Sequence, residues 1–329
     1  MYTDIPLWLS LAFLAGGLAV LAWSSDLFVD GAATVARSLG ISPFVIGMVV
    51  IGFGTSAPEL CVSAMSGIAG HSNLSLGNAY GSCVFNIAAI LGVAALIHPL
   101  RVKPAVALLA GPVLAITAIA SGVLLRDGVC GGTESYMLLG AFVVLLPLYC
   151  WFDQKSNAAP KKDAVPDGAR KSVWIAVVKL VVGLAALIGA SHALVWGAVD
   201  VARALGVSEL MIGLTIVALG TSLPELASAV ASARRGENEF VLGNIIGSNL
   251  FNTLAVVGLA TAITPAKGFS PYIFARDLPA MAALSLSVSV FGHNWRHPKR
   301  KGTIGRVVGA LWLMVFLCYT ALVIWQETR

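Results

Sequence analysis

The sequence predicts an all-α polytopic membrane protein of ten transmembrane helices, arranged as two inverted-topology repeats of five. Three observations carry this. The 329 residues are 58% hydrophobic and only 11% charged, with a mean hydropathy of +0.87, outside the range of a soluble domain. Apolar runs long enough to cross a bilayer, at about 20 residues each, recur along the chain, five on each side of a polar stretch. Finally, a shift of 166 residues superimposes positions 17–86 on 183–252 without a gap, with close to half the positions identical. Because each half holds an odd number of spans, the second half enters the membrane from the opposite side, the arrangement used by alternating-access transporters.

The runs fall near 7–25, 43–68, 74–98, 103–124 and 136–152, and again near 172–197, 209–233, 238–264, 272–292 and 307–325. The first of each half has no clear break before Asp26 and Asp30, or before Asp200, so both are expected to continue as long tilted helices. Residues 1–152 and 172–329 are therefore the two repeats, joined by a flexible linker at 153–171 that is rich in Lys, Asp, Ala and Pro. The N-terminal Met1-Tyr2-Thr3-Asp4 lacks the basic start of a secretory signal, so the first run is read as a retained helix.

Placing the linker in the cytoplasm puts fifteen loop Lys and Arg residues inside, among them Lys161, Lys162, Arg234, Arg235, Lys299 and Arg300. Only Arg126, Arg203, Lys267 and Arg276 remain in the outer loops. The positive-inside rule then sets both termini outside a cell membrane, with Lys179 snorkelling to the cytoplasmic face. The net charge of +5 is explained by these loops and implies no nucleic-acid partner. Five cysteines show no metal spacing, and those in apolar runs, Cys61, Cys83, Cys150 and Cys318, read as buried thiols. The five histidines are scattered without ligand spacing. Asp26, Asp30, Asp200, Glu209 and Asp277, near span ends, read as interfacial and solvated.

The repeat concentrates its chemistry in two motifs. Gly54-Thr55-Ser56-Ala57-Pro58-Glu59-Leu60 returns as Gly220-Thr221-Ser222-Leu223-Pro224-Glu225-Leu226. A proline inside a helix removes one N–H and displaces the carbonyl four residues back, which frees the C=O of Gly54 and of Gly220. In hydrocarbon, a free carbonyl and an ionised glutamate are both costly unless they line a cavity or meet a cation. A bound cation satisfies both. Thr55 and Glu59, at i and i+4, are expected to share a face. The second motif, Gly77-Asn78-Ala79-Tyr80-Gly81-Ser82, returns as Gly243-Asn244-Ile245-Ile246-Gly247-Ser248, and places Ser82 with Asn86, and Ser248 with Asn252, at i and i+4. Its glycines read as helix-packing positions. Two carboxylates with hydroxyl, amide and carbonyl oxygens, and no nearby His or Cys, form a hard donor set suited to Ca²⁺ or Na⁺.

On these two doubled motifs the whole chain resembles the sodium/calcium exchanger family of cation/calcium antiporters. The resemblance implies that the second, third, seventh and eighth helices enclose the ions while the first helix of each half slides across them. Its ligands fall on Thr55, Ser56, Glu59, Ser82, Asn86, Thr221, Ser222, Glu225, Ser248 and Asn252, with the backbone carbonyls of Gly52 and Ala218. Two positions depart from the pattern: Asn252 stands where some relatives have Asp, and Cys83 stands opposite Asn249. The expected activity is Na⁺/Ca²⁺ exchange, with Ca²⁺ and Na⁺ as transported substrates, no resident cofactor and no enzymatic reaction. The alternative is a proton-coupled Ca²⁺ antiporter. That reading is disfavoured because no acidic residue follows Gly77-Asn78 or Gly243-Asn244. An intramembrane hydrolase lacks a His-Glu-x-x-His motif or paired intramembrane Asp, and a channel has no use for an inverted repeat.

Overall fold

The computed structural model describes residues 6–156, 169–206, 216 and 218–327. The described residues form the helices α1 (Leu7–Leu39), α2 (Pro43–Thr55), α3 (Ala57–Ile68), α4 (Ser72–Ile97), α5 (Pro104–Leu124), α6 (Thr133–Ser156), α7 (Ala169–Ala204), α8 (Ala218–Gly220), α9 (Leu223–Arg234), α10 (Asn238–Ile263), α11 (Ile273–Gly292) and α12 (Arg306–Glu327). Eight of these are long and apolar enough to span a membrane, and α2 with α3 makes a ninth, bent by 42°. Part of the expected 209–233 span lies outside the described residues. It re-emerges as α8 and α9.

Both first helices run long, as the unbroken sequence suggested, and each stops where a glycine takes positive φ: Gly40 at +64° after α1 and Gly206 at +79° after α7. Helix reaches into both ends of the expected 153–171 linker, where α6 continues to Ser156 and α7 begins at Ala169. Inside it, Asp153 is buried and accepts a hydrogen bond from Ser42 Oγ, the residue that caps the start of α2 and also accepts from the Val45 N–H at 3.2 Å. Four short strands lie in the loops, which the sequence did not signal. β1 (Leu100–Val102) pairs antiparallel with β4 (Gly302–Ile304), and β2 (Val129–Cys130) with β3 (Ala266–Lys267). Each ties the loop after α4 or α5 to one in the second half of the chain.

Burial separates centre from rim. An eighteen-residue stretch of α10 is entirely buried and one of α4 is 78% buried, against 22% for α1 and for α7 and 11% for α12. The rim helices present Leu, Val, Ile and Trp outward, the surface expected of a protein whose solvent is lipid. Cys61 and Cys318 belong to that outward surface and are exposed, correcting the expectation that they are buried; Cys83 and Cys130 are buried. An apolar run in a membrane helix can face lipid as readily as protein, so hydropathy alone cannot separate the two.

Helices α1 and α7 pack along their length as a pair. A Cβ on Gly31 would lie 2.6 Å from Leu180 N, and one on Gly183 2.7 Å from Phe28 N, so glycine is what permits the approach. Lys179 Nζ does not snorkel free but pairs with Asp30 at 2.8 Å. Arg235, at the end of α9, lies 3.5 Å from Asp30 and 3.3 Å from Asp26. The positions 166 residues away from Lys179 and Asp30, Phe13 and Trp196, hold an edge-to-face aromatic pair at 5.6 Å. Asp200 accepts from Ser10 Oγ at 3.2 Å. Asp277 also departs from the solvated reading: it is buried, bonded by Arg276 Nε at 2.6 Å and by Tyr319 OH at 2.8 Å. Glu209 lies outside the described residues.

Candidate functional site

The site forms where α2–α3 and α8–α9 break and meet the buried centres of α4 and α10. Pro58 and Pro224 each occupy the second position of a new helix, which starts after Ser56 and after Ser222. The proline ring is tolerated in that first turn, so the chain resolves the conflict by breaking and turning. Glu59 and Glu225 then fall in the first turns of α3 and α9, and both are fully buried.

Each carboxylate is held by the opposite half of the chain. Ser222 Oγ donates to Glu59 Oε1 at 2.7 Å, and Ser56 Oγ donates to Glu225 Oε1 at 2.9 Å. The remaining oxygens, Glu59 Oε2 and Glu225 Oε2, are buried and have no hydrogen-bond partner among the described residues. Neither glutamate forms an ion pair with a described Lys or Arg. A carboxylate left in this condition at membrane depth calls for a cation.

The remaining residues fill in around this exchange. Ser82 Oγ lies 3.1 Å from Ser222 Oγ and, with the Ser222 proton committed to Glu59, is placed to donate to it. Thr55 Oγ1 donates to Ile51 O at 3.0 Å and lies 3.3 Å from Asn244 Oδ1, and Thr221 Oγ1 reaches Asn78 Oδ1 at 3.4 Å. Ser248 Oγ donates to Gly52 O at 3.3 Å, so that carbonyl faces α10. Ala218 opens α8. Asn86 and Asn252 lie at the entry to π-helical turns, Asn86–Leu91 and Phe251–Val256, an irregularity that clusters at functional sites. Both asparagines are fully buried. Among the described residues Asn86 Oδ1 has no partner, and neither has either end of the Asn252 amide.

Two sequence expectations need correction. Thr55 and Glu59 do not lie on one continuous helix face, because the break at Ser56 separates them. The Gly220 carbonyl is also not free: Ser191 Oγ of α7 donates to it at 2.9 Å.

The sequence reading missed the braces behind the glutamates. Asn78 Nδ2 donates to Glu59 O at 3.2 Å and Ser63 Oγ at 3.0 Å, while Asn244 Nδ2 donates to Glu225 O at 3.4 Å and Ser228 Oγ at 2.9 Å. The available signal was the recurrence of asparagine after glycine in both halves. Gly243 and Gly247 do serve packing: a Cβ on either would lie 2.3 Å from a carbonyl of α2, Phe44 O or Met48 O. Gly77 and Gly81 meet no described atom within 4 Å, and 209–215, equivalent to the start of α2, lies outside the described residues. Among the described residues no group of three or more His, Cys, Asp or Glu stands together in the way a metal cluster would.

The pattern of the family described as sodium/calcium exchanger protein matches residues 9–151 and 175–325. The chain is 38% identical to the putative antiporter CaxA of Alkalimonas amylolytica, over 93% of this chain and 96% of that one. It is 28% identical to the sodium/calcium exchanger MaX1 of Methanosarcina acetivorans, over 88% and 93%. Among solved structures, the sodium-calcium exchanger NCX_Mj soaked with Na⁺ and Sr²⁺ superimposes with a TM-score of 0.82 at 31% identity, over 96% of this chain and 99% of that one. The broken helices, the crossed serine–glutamate bonds and these likenesses agree: the chain belongs to the sodium/calcium exchanger family, membrane antiporters rather than enzymes.

Proposed function

We propose that the chain exchanges Na⁺ for Ca²⁺ across a cell membrane by alternating access, with Glu59 and Glu225 as the central cation ligands. The observation that carries this reading is the pair of buried carboxylates, each with one oxygen held by a serine from the other half of the chain and one left open. Two carboxylates neutralise one Ca²⁺. The hydroxyls of Thr55, Ser56, Thr221 and Ser222, the oxygens of Ser82, Asn86, Ser248 and Asn252, and the carbonyls of Gly52 and Ala218 supply neutral oxygen ligands for Ca²⁺ or for Na⁺ in its place. The names of MaX1 and NCX_Mj as sodium/calcium exchangers, and the Sr²⁺ used with the latter, point to the same pair of substrates.

The architecture that serves this function has ten spans, in five-helix repeats at 1–152 and 172–329 joined by a cytoplasmic linker at 153–171, with both termini outside. The paired helices α1 and α7 slide as a unit across the four site helices, exposing the ions first on one side and then on the other. The test is to reconstitute the purified protein, impose a Na⁺ gradient and follow ⁴⁵Ca²⁺ uptake with and without an opposed H⁺ gradient. Uptake driven by Na⁺ and indifferent to H⁺ supports the reading; uptake driven by H⁺ alone replaces it with proton-coupled exchange.

A further inference from the structure

The two asparagines at the π-helical turns are equivalent in sequence but differ in how they are held. Asn86 Nδ2 donates to Asn249 Oδ1 at 2.9 Å, and Asn249 Nδ2 donates in turn to Cys83 O at 3.2 Å. A backbone carbonyl only accepts, so it obliges Asn249 to offer its NH₂ there and its oxygen to Asn86. Asn86 must answer with its own NH₂. Its Oδ1, buried and unpartnered, is thereby turned away from Asn249. The orientation of one amide is passed through a second from a fixed point on the backbone.

At the matching place near Asn252 stands Cys83. Its thiol lies 3.6 Å from Asn249 O and 3.5 Å from Thr253 Oγ1, and neither end of the Asn252 amide has a partner among the described residues. No hydrogen bond from a described residue dictates which end of Asn252 faces inward. An amide free to rotate can offer oxygen to a cation or NH₂ to a carboxylate.

We infer that Asn249 is a positioning residue for cation binding: it fixes Asn86 as a permanent oxygen donor, while Cys83 leaves Asn252 free to turn. The inference rests on the cation-site reading given above and assigns Asn249 no contact with the ion. Loss of Asn249 makes the Asn86 oxygen available only part of the time, and binding must then fix the amide itself, weakening affinity without altering the number of ligands.

The test is equilibrium ⁴⁵Ca²⁺ binding to the purified full chain in detergent, with thermal unfolding of the cation-free protein measured alongside. Asn249→Cys, which installs the residue found at position 83, is expected to raise the Ca²⁺ dissociation constant about tenfold while the cation-free melting temperature changes little. Asn249→Ser is measured in the same way if the cysteine variant does not fold. In an Asn86→Asp background, both ends of residue 86 are oxygen and orientation no longer matters, so Asn249→Cys should cost no affinity. Cys83→Ala, which removes no bond to Asn252, should leave affinity within about twofold. Unchanged Ca²⁺ affinity in Asn249→Cys overturns the inference, as does an equal loss in the Asn86→Asp background, which would mark Asn249 as a packing residue. If the unaltered protein binds ⁴⁵Ca²⁺ but does not exchange it for Na⁺, the exchange reading fails while the positioning role stands or falls on the variants. If it binds no Ca²⁺ at all, both fail.

Discussion

Ser222 and Glu59 stand 163 residues apart in sequence, and a 2.7 Å hydrogen bond joins them in the buried centre of the protein. The equivalent bond, Ser56 to Glu225, runs the other way. Each half of the chain therefore completes the carboxylate of the other, and neither half alone holds a finished site.

Charge at these two positions should be decisive. Glu59→Gln or Glu225→Gln keeps the shape and the bond from serine but removes half of the negative charge offered to Ca²⁺. Either variant is expected to abolish Na⁺-driven ⁴⁵Ca²⁺ flux in proteoliposomes while eluting as a folded, monodisperse protein. Transport at the unaltered rate by either one would remove that glutamate from the ligand set.

The serine bonds should be graded rather than absolute. Ser222→Ala leaves Glu59 Oε1 without its donor, and a hydrogen bond to a charged group is worth about 1.5–3 kcal/mol. The expected result is a Ca²⁺ affinity changed by about tenfold or more, with Ser56→Ala giving a matching change through Glu225. Measuring both variants by ⁴⁵Ca²⁺ binding checks the crossed arrangement directly.

The contact between α1 and α7 has a local test. Gly31→Ala forces a methyl to within 2.6 Å of the Leu180 backbone, whereas a methyl on Gly16, on the same helix, meets no described atom within 4 Å. Overpacking of this kind costs about 1–3 kcal/mol, so Gly31→Ala should lower the melting temperature in detergent and Gly16→Ala should not.

Topology can be read with thiol reagents. In a cysteine-free background, single cysteines in place of Ser156 and Lys299 should be shielded from impermeant maleimide in intact cells, and one in place of Asp127 should label. Labelling at Ser156 from outside would reverse the orientation.

If the proposed ligand set holds, Asn252 adds an oxygen but no charge, two formal negatives serve one Ca²⁺, and exchange is expected to need no accompanying K⁺. If three Na⁺ counter each Ca²⁺, one net charge crosses per cycle, worth about 2.3 kcal/mol per 100 mV. Ca²⁺ uptake should persist with K⁺ replaced by choline and should respond to an imposed potential. A requirement for K⁺ refutes the first expectation, and indifference to voltage refutes the second.

What the sequence made legible was whatever the duplication repeated. Glu59 and Glu225 stood out because a membrane carboxylate is rare and here occurs twice, and the long α1 and α7 followed from apolar runs with no break. What it hid were relationships fixed only by three-dimensional packing. Helical spacing pairs Thr55 with Glu59, yet the break at Ser56 parts them, and the serine that bonds Glu59 comes from the distant half. Asn78 and Asn244 were visible as repeated residues, but their bonds to the backbone of the glutamates depend on how α4 meets α3 and α10 meets α9. Asp277 read as a solvated charge because sequence distance from a span end says nothing about Arg276 and Tyr319 closing over it.

The pair formed by α1 and α7 carries unlike chemistry at equivalent places: Lys179 and Asp30 in one, with Arg235 of the α9 end beside Asp30, and Phe13 and Trp196 in the other. Partly exposed ion pairs weaken as dissolved salt screens them, and an edge-to-face ring contact does not. The side of the α1–α7 contact that carries the ion pairs is therefore the salt-sensitive one, and the side that carries the aromatic rings is not, although the two come from one repeated plan.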